Sequence, residues 1–161
     1  MSSEEYGILN CKTDRGIRGA ALRLSFPSVG ATEQVMITAA LSKGETTLYN
    51  AAREPELVDL QNYLNLCGAE IRGAGSSTVV IRGKSSLSGA QWRVMPDRIE
   101  AATLLCAVLS AGGEIVIENA RPEHFRPVLE AARQMGAEIT EGGEIRIKAP
   151  KRLRADRKSV V

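Results

Sequence analysis

The sequence predicts an α/β (α+β) chain built on repeated βαβαββ units, and three observations carry that prediction. The first is an internal duplication, since residues 34–71 and 102–139 present the same landmarks in the same order. Gly44 stands six positions before Asn50-Ala51 as Gly113 stands before Asn119-Ala120, and Gly68-Ala69-Glu70-Ile71 closes one copy as Gly136-Ala137-Glu138-Ile139 closes the other. The second is periodicity: in each copy apolar residues pass from helical spacing to alternation and back. The third is punctuation, with glycines and prolines falling where those periods change. A repeat of nearly seventy residues is too long for a solenoid of helical hairpins, so it is one supersecondary unit used twice.

The elements follow in order. Ala20–Ser25 alternates as a strand, and Pro27 ends it because proline has no N–H for a ladder. Ser28-Val29-Gly30 opens a helix to about Ser42, with Val35, Met36, Ala39 and Ala40 on one face, and Gly44 stops it. Thr46–Tyr49 is a strand and Asn50–Arg53 a polar turn. Pro55 suits the first position of a second helix, where its missing N–H is not needed. Leu57, Leu60, Leu64 and Cys67 form the buried stripe of that helix, and Gly68 is its left-handed cap. Glu70-Ile71 and Thr78–Arg82 pair across Gly73–Ser76.

The second copy begins with a strand near Trp92–Met95. Asp97 with Glu100 three residues on is a capping-box pattern opening a helix over Ala101–Ser110. Ile115–Glu118 is a strand, and a second helix ends at Met135 before Gly136. Pro127 requires either that this helix start there or that its first turn be distorted. Glu138–Thr140 and Glu144–Lys148 close the copy as a hairpin. This divides the chain into residues 1–95, residues 96–149 with a hinge at Pro96-Asp97, and a basic stretch at 150–161 that reads as a solvated linker or the start of a cut-off strand.

Composition narrows the class. With 43% apolar and 25% charged residues the chain is globular, and with 4% aromatics its core is aliphatic. A net charge of +2 gives no argument for a nucleic-acid or membrane partner. Three cysteines without paired spacing fit neither a disulfide framework nor a zinc site, which leaves no metal to expect and points to a reducing cytoplasm. The start lacks the features of a signal peptide, and the longest mostly apolar run, Ala101–Ala111, falls well short of the roughly 20 residues a membrane span needs.

Three stretches are more specific than the repeat: Phe26-Pro27-Ser28-Val29-Gly30-Ala31-Thr32-Glu33, Asn50-Ala51-Ala52-Arg53-Glu54-Pro55-Glu56 and Pro96-Asp97-Arg98-Ile99-Glu100. In this order and spacing, from about Tyr6 to Lys148, they resemble the UDP-N-acetylglucosamine 1-carboxyvinyltransferases among the enolpyruvyl transferases. The resemblance implies the inside-out α/β barrel of that family, two lobes each of three such units, with this chain taking one complete unit from each lobe. It implies transfer of the enolpyruvyl group of phosphoenolpyruvate to the 3-hydroxyl of UDP-N-acetylglucosamine in peptidoglycan synthesis, without metal or organic cofactor.

On the resemblance, Phe26, Pro27, Ser28 and Val29 contact the uridine nucleotide and Gly30 permits its close approach. Independently, the amides of Ser28, Val29 and Gly30 lie where a strand becomes a helix, at the positive end of the helix dipole. Some family members carry Lys where this chain has Phe26, so a charge contact there is not implied. Arg98 falls at the crossing between lobes, either on a substrate phosphate or carboxylate or in a hinge salt bridge. Glu54 and Glu56 resemble a catalytic pair, yet they flank a first helical turn, where carboxylates are favoured anyway. Phe26–Gly30 and Arg98 read as parts outside the duplication.

No catalytic residue is assigned. The family's reactive cysteine sits on a glycine-rich loop upstream of the equivalent of Tyr6, and Cys11, Cys67 and Cys106 have no such setting; each reads as a small buried hydrophobe. His124 reads as a surface residue. The resulting expectation is an internal portion of the enzyme, inactive alone and self-associating through exposed repeat faces; the alternatives are a non-catalytic sugar-nucleotide-binding or assembly module and a relative of enolpyruvylshikimate-phosphate synthase.

Overall fold

A computed structural model of the chain describes residues 2–5, 7–14 and 16–154. It divides after Val94 into two compact units.

The first unit opens with a two-stranded antiparallel hairpin, β1 (Ser2–Glu5) and β2 (Ile8–Cys11). The repeat proper is β3 (Ala21–Arg23), α1 (Val29–Ala40), β4 (Glu45–Tyr49), α2 (Pro55–Leu66), β5 (Glu70–Arg72) and β6 (Thr78–Arg82). These strands form one sheet in the order β3-β4-β6-β5, with β3 parallel to β4 and the other pairings antiparallel. Alternation puts Thr46 and Leu48 of β4, and Val79 and Ile81 of β6, into the interior, where they meet Met36 of α1 and Leu57 of α2. Each such aliphatic side chain, fully withdrawn from water, contributes about 1.5–3 kcal/mol.

Helix ends are set by local chemistry. Ser28 caps α1, its hydroxyl oxygen accepting the Ala31 N–H at 3.3 Å. The helix ends at Ala40, short of the Ser42 the sequence suggests, because the Ser42 N–H and hydroxyl both donate back to the Ala39 carbonyl. Gly68 and Gly136 have φ of +100° and +101°, the left-handed caps expected after α2 and its counterpart. In both, the next amide reaches back five residues, Ala69 to Leu64 at 2.9 Å and Ala137 to Ala132 at 3.0 Å.

The second unit is α3 (Arg98–Ala111), β7 (Glu114–Glu118), a single 3₁₀ turn at Pro122–His124, α4 (Arg126–Gln134), β8 (Glu138–Glu141) and β9 (Glu144–Lys148). Its antiparallel sheet runs β7-β9-β8 over a core of Leu105, Ile117, Phe125, Leu129, Ile145 and Ile147. α4 begins at Arg126, so Pro127 lies in the first turn, where its missing N–H breaks no helical bond.

A single shift of 69 residues maps Pro27 onto Pro96, Ser28 onto Asp97, Gly44 onto Gly113 and Asn50 onto Asn119. Ser28 and Asp97 are both helix N-caps, the Asp97 carboxylate accepting the Ile99 N–H at 2.7 Å, so α3 starts at Arg98 rather than Ala101. The stretches around Phe26–Gly30 and Arg98 are therefore equivalent positions within the repeat, not parts outside it.

Two further expectations change. There is no strand at Trp92–Met95. Under the shift, Gln91 and Arg93 take the places of Leu22 and Leu24, which face α1, while Trp92 and Val94 take the outward places of Arg23 and Ser25. With its apolar residues on the wrong parity the segment cannot pack as β3 does. Instead Trp92 lies on α2, its indole N–H donating to Asp59 at 3.1 Å and its ring 6.4 Å from that of Tyr63. The basic stretch after Ala149 is also less free than a linker as far as it is described: Leu153 packs on the second core and the Arg154 N–H donates to the Met135 carbonyl. Residues 155–161 lie outside the described residues.

Candidate functional site

The first unit brings two of the three distinctive stretches together. Pro27, Asn50, Ala51, Arg53 and Glu54 line one cavity of about 520 Å³ at the N-terminal ends of α1 and α2. Phe26 is exposed beside Pro27 in sequence, 67% of its surface in solvent. Ser28 gives its hydroxyl to the cap, whereas the Val29 and Gly30 amides make no backbone hydrogen bond among the described residues. A Cβ built on Gly30 would meet nothing within 4 Å, so its missing side chain leaves open approach to those donors.

A buried network holds the two rims of this cavity. The Thr32 hydroxyl donates to the Ser28 carbonyl at 2.8 Å and accepts the Ala52 N–H at 3.1 Å, with Thr32 fully buried. Asn50 adopts φ +56°, a left-handed conformation that Asn tolerates better than most residues, and its side-chain amide donates to the Leu24 carbonyl at 3.0 Å. These bonds fix the turn after β4 against the turn before α1. The cavity presents one guanidinium, Arg53, beside one carboxylate, Glu54, while the Val29 and Gly30 amides at the adjoining start of α1 are donors suited to an oxygen-rich ligand.

Glu54 is the N-cap residue of α2, and its carboxylate accepts the Arg53 N–H at 2.8 Å; Glu56 lies in the first turn. Both sit where the structural reading of that pair places them.

Arg98 belongs to the second unit, at the first position of α3. It lines a mostly apolar cavity of about 500 Å³ with Ile99, Cys106, His124, Phe125 and Pro127. His124 is half-buried rather than a surface residue, with Nδ1 buried and without a hydrogen-bond partner among the described residues. Cys106 is exposed because it lies on the face of α3 that carries Thr103 and Ser110, opposite the buried face of Ala101, Leu105, Val108 and Leu109. Cys67 is buried as expected, and the Cys11 side chain lies outside the described residues.

Among the described residues no cluster of His, Cys, Asp or Glu could hold a metal ion, and no helix is long and apolar enough to cross a membrane. Sequence reasoning quoted Asn50 and Arg53 within a distinctive stretch without assigning them to the site. The signal that could have placed them there is the shared Asn-Ala of the two copies, which marks a forced left-handed turn.

The family model for EPSP synthase (3-phosphoshikimate 1-carboxyvinyltransferase) matches residues 1–159. The chain belongs to that family. Within it, the chain is 46% identical over 153 residues to UDP-N-acetylglucosamine 1-carboxyvinyltransferase 1 of Symbiobacterium thermophilum, covering 94% of this chain and 35% of that relative. It is 44% identical over 152 residues to the UDP-N-acetylglucosamine 1-carboxyvinyltransferase of Trichlorobacter lovleyi, covering 94% and 36%. The chain thus spans about a third of the length of these curated relatives. Among solved structures, the enolpyruvyl transferase NikO of Streptomyces tendae superposes with a TM-score of 0.74 at 23% identity, over 94% of this chain and 39% of that one. EPSP synthase of Acinetobacter baumannii gives 0.61 at 23% identity, over 88% and 34%. These likenesses confirm the enolpyruvyl-transferase fold.

Proposed function

We propose that the chain is an internal portion of a UDP-N-acetylglucosamine 1-carboxyvinyltransferase, with residues 1–95 in one lobe and 96–149 in the other. The whole enzyme moves the enolpyruvyl group of phosphoenolpyruvate to the 3-hydroxyl of the nucleotide sugar by addition followed by loss of phosphate. Identity of 44–46% to relatives of that name carries the reading, against 23% to the EPSP synthase structure.

In this account the uridine nucleotide lies over the α1 N-terminus, along Phe26, Pro27, Ser28, Val29 and Gly30. The Val29 and Gly30 amides donate to its oxygens with the helix dipole behind them. Arg98 meets a phosphate or carboxylate at the crossing between lobes. The work is done in the cytoplasm. The two described thiols support inactivity of this chain by itself, since Cys67 is buried and Cys106 lies within α3 rather than on a loop.

Calorimetric titration tests the assignment: UDP-N-acetylglucosamine should give a saturable heat and shikimate 3-phosphate none. The reverse preference would move the chain to the other branch of the family. Incubation with UDP-N-acetylglucosamine and phosphoenolpyruvate should release no phosphate, and turnover above background would refute inactivity. Exposed Ile37 and Leu41 of the first unit and Ile99 and Leu104 of the second support self-association, which sedimentation should show as species larger than one chain; a compact monomer would refute it.

A further inference from the structure

The two copies of the repeat reach the same local fold with and without one buried bond. In the first unit the Thr32 hydroxyl ties the start of α1 to the turn after β4, donating to the Ser28 carbonyl at 2.8 Å and accepting the Ala52 N–H at 3.1 Å. Under the 69-residue shift the places of Thr32 and Ala52 fall to Ala101 and Arg121. Ala101 is buried as Thr32 is, but its methyl can accept nothing. The second unit nonetheless keeps both features that the bond joins: Asp97 caps α3 as Ser28 caps α1, and Asn119 holds φ +57° where Asn50 holds +56°. Helix start and turn therefore form without the bond, and forming them does not explain why the first unit carries it.

What accompanies the bond is an open helix start. The Ser28 hydroxyl takes the Ala31 N–H at 3.3 Å, which leaves the Gly30 amide without a partner among the described residues. At the start of α3 the counterpart of that amide is taken: the Asp97 carboxylate accepts the Ile99 N–H at 2.7 Å and the Glu100 N–H at 3.4 Å. Nothing lies within 4 Å of a Cβ built on Gly30, whereas Ile99 sets a branched side chain at the equivalent place. The copy whose amide is satisfied by its own carboxylate has no bridge, and the copy whose amide is open has one.

We infer that Thr32 is a positioning residue for the ligand of the first unit, holding the open amides of α1 in register with the Arg53 rim so that one ligand meets both. The inference rests on the nucleotide-sugar reading above. Each partner of the hydroxyl belongs to a different rim: Ser28 follows Pro27, and Ala52 lies between Ala51 and Arg53, all three neighbours lining the cavity. Thr32 is fully buried, so its action passes through these backbone groups, in a setting where hydrogen bonds are strong.

Titration calorimetry with UDP-N-acetylglucosamine compares the unaltered chain, Thr32→Ser and Thr32→Val, each where circular dichroism shows it folded. With the folded fraction near one, lost stability alone leaves affinity unmoved. Thr32→Ser keeps the hydroxyl and should retain most of the affinity, while Thr32→Val should bind at least about 5-fold more weakly, the low end of what coupling between two sites is worth. Ile81→Val, which thins the core at β6 and leaves the bridge intact, should bind normally. In the unaltered chain, saturating ligand should slow hydrogen exchange at the Ala52 amide more than at Ile81, a readout that stands even where Thr32→Val does not fold. Equal affinity of the Val and Ser variants, or exchange at Ala52 slowed no more than at Ile81, would overturn the positioning role alone. Absence of binding by the unaltered chain would overturn the nucleotide-sugar reading and this role with it.

Discussion

Replacing Thr32 with Val tests how the cavity rim is held. The substitution preserves shape and removes one hydroxyl. The Ser28 carbonyl loses a donor but keeps the Thr32 N–H at 3.0 Å. The Ala52 N–H, on a residue 1% exposed, loses the acceptor it has at 3.1 Å and cannot turn to water. A buried donor left without a partner costs about 1–3 kcal/mol, and that is the expected loss for Thr32→Val. Thr32→Ser keeps both hydrogen bonds and gives up one methyl, worth about 0.8 kcal/mol in transfer. The chain's single tryptophan, Trp92, packs on α2, so urea unfolding followed by its fluorescence reports on the first unit. The midpoint should fall further for Val than for Ser, with the slope unchanged. Thr32→Val at wild-type stability, or Thr32→Ser as damaging as Val, would refute the reasoning.

Asn50→Gly should cost only the side-chain bond to Leu24, about 0.5–1.5 kcal/mol, since glycine accepts φ +56° freely. Asn50→Ala adds left-handed strain of about 1–2 kcal/mol, so Ala no worse than Gly in urea unfolding would contradict the turn assignment. At Glu141 the hydrogen bond from Arg133, opposed by partial burial and aided by Arg126, holds the carboxyl below its ordinary range. A depressed folded-state value stabilises the fold above the unfolded value of about 4.3, and that contribution is lost as pH falls through the folded value. Glu141→Gln should therefore lower neutral-pH stability by on the order of 1 kcal/mol and converge with wild type in acid; a constant difference across the acid range would count against the ion-pair account.

The repeat was legible because its landmarks have steric causes. Gly68 and Gly136 occupy left-handed caps, Asn50 and Asn119 left-handed turns, and Pro55 a first helical position, and each leaves a mark in the sequence. The strand near Trp92–Met95 was misread because Trp92 and Val94 alternate correctly but on the opposite parity from Leu22 and Leu24, and parity shows only once the copies are aligned through Pro27 and Pro96. That same alignment makes Phe26–Gly30 and Arg98 corresponding helix starts. Thr32 escaped notice because a threonine inside a helical pattern gives no sign of bonding to a turn twenty residues away. Cys106 reads as buried because Leu104, Leu105 and Val108 flank it in sequence, yet helical spacing puts it on the face of Thr103 and Ser110, which is exposed.

If the α1 N-terminus reads the nucleotide sugar through the Val29 and Gly30 amides, Val29→Pro isolates that contact. Proline suits the first position of a helix, and Ser28 before it, at φ −111° and ψ 125°, already has the extended backbone a following proline requires. The fold should stand while one amide donor disappears. Calorimetric titration with UDP-N-acetylglucosamine should show saturable binding to the unaltered chain and, for Val29→Pro, affinity weaker by about 10- to 100-fold, the value of one hydrogen bond to a charged group. A flat thermogram for the unaltered chain, or equal affinity of the two proteins, would rule out nucleotide recognition by these amides.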